Sequence, residues 1–136
     1  MRAELVSRLK SPLFLIVERN AVIGQDLAEI VRGHDPGCQV TILDGVAAAE
    51  AFLASHPVTL AAAFVAAPRE GARGLDALAG QIASVGGRIV VMRELADPVD
   101  VPAGSIVLAR PFTTNSVLRV LKDLGRDGDA ADGSTR

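Results

Sequence analysis

The stretch Ser105-Ile106-Val107-Leu108-Ala109-Arg110-Pro111-Phe112-Thr113 decides how the rest of the chain is read. An apolar run of strand length meets a basic residue, a proline and a phenylalanine. Thr113 or Thr114 then caps a helix that carries Val117, Leu118, Leu121 and Leu124 at helical spacing. The same alternation recurs upstream. Leu13–Val17, Cys38–Leu43, Val58–Ala66 and Arg88–Met92 are further runs of strand length. Between them, Asn20 caps a helix bearing Ile23, Leu27, Ile30 and Val31, and an alanine-rich helix spans Val46–Ala54. A third helix bears Leu75, Leu78, Ile82 and Val85 and stops at Gly86-Gly87. Val58–Ala66 is apolar on both faces, as a strand covered by helices from both sides must be. Strands alternating with helices predict an α/β domain around a five-stranded parallel sheet. Right-handed crossovers leave few strand orders, and 2-1-3-4-5 is the one expected.

The flanks are simpler. Met1–Lys10, with Leu5, Val6 and Leu9, reads as a lead-in helix closed by Ser11-Pro12, so a segment 1–12 precedes a domain 13–125. Gly125 ends the last helix in this reading, and the Asp-, Gly- and Ala-rich residues 126–136 form a disordered tail. Between strands four and five, Pro98 and Pro102 argue that any helix is shortened or absent.

Composition narrows the function. The chain has 136 residues, a net charge of −2, 3% aromatic residues and no Trp or Tyr, which leaves no basic footprint or stacking surface for nucleic acid. No apolar run is long enough for a membrane span, and no signal-peptide core is visible, so a cytoplasmic protein is expected. Cys38 is the single cysteine, which excludes an internal disulfide and a cysteine-built zinc site; it reads as a small hydrophobe. His34 and His56 fall in loops, and no nucleophile–base arrangement or dinucleotide fingerprint stands out. No catalytic residue, metal site or cofactor is expected.

Several segments in order resemble the receiver domains of two-component response regulators. Arg110-Pro111-Phe112 is similar to the Lys-Pro-Phe that ends the family's fifth strand. Leu15-Ile16-Val17-Glu18-Arg19-Asn20 resembles the first strand and the acidic pair after it. Phe64-Val65-Ala66-Ala67-Pro68 resembles the segment in which the phosphorylated aspartate is followed four residues later by proline. Gly45 before the alanine-rich helix, and Gly74-Leu75-Asp76-Ala77-Leu78, resemble two further segments. The likeness covers Leu13 to Leu124 and implies a flavodoxin-like (CheY-like) three-layer sandwich.

It also shows what has been lost. Aspartyl phosphorylation needs an ionised carboxylate as nucleophile and a divalent cation held by oxygen ligands. Phe64 stands at the acceptor position, Arg19 replaces one acid of the pair, and Glu18 remains. The hydroxyl residue of strand four falls on Arg93, and the lysine of strand five becomes Arg110, a planar fork rather than a point charge. Glu18, Arg19, Phe64, Arg93, Arg110 and Pro111 thus form a degenerate phosphorylation pocket in this reading. One form of it has Glu18 bridging to Arg110 with Phe64 filling the old metal space. The other gathers the arginines into a site for a small anion or nucleotide. The leading expectation is a stand-alone receiver-like domain in two-component or phosphorelay signalling, acting by phosphorylation-independent contact with a signalling protein, a histidine kinase or another regulator among the candidates, or with a second copy of itself. The alternative is a flavodoxin-like binder of an anion or nucleotide.

Overall fold

The computed structural model describes residues 12–67, 73–94 and 101–134. The expected lead-in helix lies outside these, as do the loop after Ala67 and the segment holding Pro98. In chain order the elements are β1 (Leu13–Val17), α1 (Ala21–His34), β2 (Gln39–Leu43), α2 (Val46–Ser55), β3 (Leu60–Ala66), α3 (Arg73–Ser84), β4 (Arg88–Glu94), β5 (Ile106–Arg110) and α4 (Thr114–Ser134). All strand pairs are parallel, and the order across the sheet is β2-β1-β3-β4-β5, as the crossover rule predicts. Among the described residues no helix stands between β4 and β5; Ala103 and Gly104 make a turn there.

Strand alternation sorts the core into two layers. Leu15, Val17, Ala63, Val65 and Val91 pack on Ala49 and Leu53 of α2 and on Leu75, Leu78 and Ile82 of α3. Phe14, Ile16, Ala62, Phe64, Val90, Met92 and Leu108 pack on Leu27, Ala28 and Val31 of α1 and on Val117, Val120 and Leu121 of α4. Val101 packs against the first layer, while Val107 on the edge strand stays 39% exposed.

Helix starts follow their caps. The Asn20 side-chain oxygen accepts from the amides of Val22 and Ile23 at 3.0 and 3.2 Å. Thr113 caps α4 reciprocally with Ser116, each hydroxyl accepting the other's amide at 2.9 to 3.0 Å. Gly86, with φ +84°, closes the turn after α3. Several boundaries differ from the sequence reading: β2 begins at Gln39 and β3 at Leu60, each a residue or two late. The backbone of α4 continues through Gly125 to Ser134 instead of ending in a tail. Gly125, Gly128 and Gly133 each cost a helix interior about 1 kcal/mol, but no proline stands in this stretch to block the helix sterically. β4 likewise runs two residues past Met92, to Glu94.

Candidate functional site at the carboxyl edge of the sheet

In open parallel sheets ligands gather at the carboxyl ends of the strands, and at that edge Glu18 and Arg110 meet. Glu18 directly follows β1, and its amide donates to the Leu43 carbonyl oxygen at 2.9 Å, which anchors it to β2. It is the one buried charged residue among those described, 7% exposed. Its Oε1 accepts the Asn20 amide at 3.0 Å, and its Oε2 lies 3.5 Å from Nη2 of Arg110 at the end of β5. The second contact is an ion pair rather than a hydrogen bond, and Oε2 has no hydrogen-bond donor. In sheet order β3 and β4 lie between β1 and β5, so three spacings, about 14 Å, separate the two strand axes. The two long side chains must therefore meet over the ends of β3 and β4.

Beneath them lies Phe64. It is fully buried, and it shares a register row with Ile16 and Val90 on the face occupied by α1 and α4. Ala66 follows it on the same face, and this small side chain at the strand's last position leaves room above the phenyl ring. Burying the ring contributes about 2 to 3 kcal/mol. The whole of β3, Leu-Ala-Ala-Ala-Phe-Val-Ala, lacks an acidic, hydroxyl or amide side chain. The absence of an acceptor on this strand therefore does not depend on matching Phe64 itself to the aspartate.

The remaining residues do not converge. Arg19 is exposed and has no ion pair among the described residues. Arg93 is half-buried and pairs in register with Ala109. Alternation places it on the Val91 side of the sheet, opposite to Met92 and Arg110. Pro111 is exposed after a cis peptide bond to Arg110. Glu94 is an acid the sequence reading missed: it is the ladder neighbour of Arg110, on the same face. Ending β4 at Met92 hid it; continuing the alternation by one more pair would have found it.

A divalent cation of the receiver type does not fit this set. Glu18 is engaged by Arg110, Phe64 offers no donor atom, and a guanidinium stands where the second acid would be. Among the described residues no three His, Cys, Asp or Glu side chains come together. Away from this edge, burial and then the charge of Asp35 push the Cys38 thiol up from its ordinary range, which favours the protonated, less reactive form.

Receiver domains are among the solved structures with the same architecture. The chemotaxis response regulator CheY4 of Vibrio cholerae superposes with a TM-score of 0.64 at 16% identity, over 85% of this chain and 99% of that one. The fold is the receiver fold. A CheY-like receiver domain from Methanospirillum hungatei JF-1 gives 0.67 at 16% identity, over 89% and 99% of the two chains. SdrG from Pseudomonas melonis, in its BeF3-activated conformation, gives 0.61 at 25% identity over 82% and 94%. No protein-family model matches the sequence, and no curated protein matches it. Within this receiver fold, the strand order agrees with the resemblance carried by Arg110-Pro111-Phe112. Among the described residues no helix is long and apolar enough to cross a membrane.

Proposed function

We propose that the chain is a receiver-type signalling domain that acts through protein contact without being phosphorylated. The observation that carries this reading is the apolar β3, with Phe64 in the core below a carboxyl edge closed by Glu18 and Arg110. A phosphoryl group arriving there would meet no nucleophile. In this reading the domain is a non-enzymatic, cytoplasmic component of a two-component or phosphorelay pathway. It contacts a histidine kinase, another regulator or a second copy of itself, and the partner reads the fixed surface rather than a switched one. Binding of a small anion or nucleotide at the arginine-bearing edge is the competing reading. It is weakened because Arg110 is already held by a carboxylate and Arg93 sits on the other face of the sheet.

The test is incubation with acetyl phosphate and magnesium, and separately with beryllofluoride and magnesium. Intact mass and the amide spectrum should both stay unchanged. A mass gain of one phosphoryl group, or amide shifts that need both magnesium and beryllofluoride, would overturn the proposal.

A further inference from the structure

Away from the carboxyl edge, an open groove of about 560 Å³ lies between the end of α1 and the outer side of α4. Its lining residues are His34, Asn115, Leu118, Arg119, Lys122 and Asp123. Asn115, Arg119 and Lys122 fall at i, i+4 and i+7, so they form one stripe along α4. Leu118 is anchored against the core layer under α1 and α4, which fixes how that stripe faces. Arg119 and Lys122 are exposed, and neither makes an ion pair among the described residues, Asp123 in the same groove included. Within a chain of net charge −2, the groove thus sets two exposed cations against the single carboxylate of Asp123.

We infer that this groove is a docking surface for a carboxylate-rich segment of a partner protein. Charge complementarity sets the sign of the occupant. The shape of the site favours a peptide over a compact oxyanion. From Asn115 to Asp123 the lining residues of α4 advance about 12 Å, a length that suits an extended segment, with the two cations one turn apart within it. The α1 end at His34 presents backbone carbonyls, and of the α4 residues that line the groove only Asn115 lies in the first turn, where amides lack intrahelical partners. Half-buried Leu118 beside the cations gives an apolar contact that a peptide side chain uses and an inorganic anion does not. The inference rests on the reading that the domain works by protein contact, and it is independent of whether β3 can be phosphorylated.

Titration of the isotopically labelled full chain with a blocked Glu-Glu-Leu-Glu-Glu-Leu peptide tests it, with the Gln-for-Glu peptide and inorganic phosphate as comparisons. The glutamate peptide should shift the amides of His34, Asn115, Leu118, Arg119 and Lys122, and binding should weaken as salt is raised. The double substitution Arg119→Glu/Lys122→Glu should weaken it by about tenfold or more, with an unchanged melting temperature. If that variant melts early, Arg119→Gln/Lys122→Gln takes its place, with severalfold weakening expected. No shifts at these residues, equal binding by the variants, or the same response to the glutamine peptide or to phosphate would each overturn the assignment. A chain that resists acetyl phosphate yet ignores the peptide would keep the contact function and lose this groove.

Discussion

Arg110 and the pair Arg119 and Lys122 lie close in sequence and play opposite parts. Arg110, at the end of β5, is drawn across the sheet to a buried carboxylate. Arg119 and Lys122, on α4, have no such partner among the described residues. In the receiver fold the first position lies where the phosphorylation chemistry would be, yet here its charge serves the interior. The other two contribute little to the interior and remain available to other molecules. An ion pair that closes one edge therefore leaves the cations of a neighbouring helix open to recognition.

The contrast can be broken most forcefully at Phe64. Phe64→Asp restores a carboxylate to β3, but it removes a fully buried ring and places a charge inside the layer under α1 and α4. Destabilisation of about 5 kcal/mol or more is expected, enough to unfold much of a marginally stable domain. Urea denaturation measures it, and acetyl phosphate should still add no mass. A folded, phosphorylatable variant would mean that Phe64 is not the structural residue described here.

Next in size is Arg110→Ala, which strands Glu18 with only the Asn20 amide. A loss of about 1 to 3 kcal/mol is expected, limited because Arg110 itself is partly exposed. Glu18→Leu/Arg110→Leu should return to within about 1 kcal/mol of the parent, since an apolar pair carries no desolvation cost. Additive losses in that double-mutant cycle would show that the ion pair does not couple the two residues. A smaller effect, about 1 kcal/mol by thermal or urea melting, is expected for Asn20→Ala, which removes the two side-chain bonds capping α1. Smallest is Arg119→Gln/Lys122→Gln, where stability should move by no more than about 0.5 kcal/mol. A larger change would place these two cations among the groups that hold the fold and end the contrast.

Most of the architecture was legible because it follows from period. The runs at Leu13–Val17 and Val58–Ala66 can only be strands covered on both sides, and the helices between them show their inner faces every three or four residues. Asn20 and Thr113 announce their helices through chemistry that needs no tertiary context. The pairing of Glu18 with Arg110 was one of two readings, and sequence could not choose between them. The choice depends on strand parity: one residue of register decides whether an arginine lies over Phe64 or on the opposite face, and Arg93 lies opposite. Glu94 stayed hidden for the same reason, and α4 ran past Gly125 because glycine weakens a helix without the steric block of a proline.

The carboxylate of Glu18 receives two visitors at once, the main-chain N–H at the head of α1 and the side chain arriving from the outermost strand. If β5 peels away, that group is left in a dry setting with half its company gone, and the first turn of the opening helix loses its brace. Fraying at the rim of the sheet is thereby tied to loosening near its middle, and amide exchange in these two places should rise together.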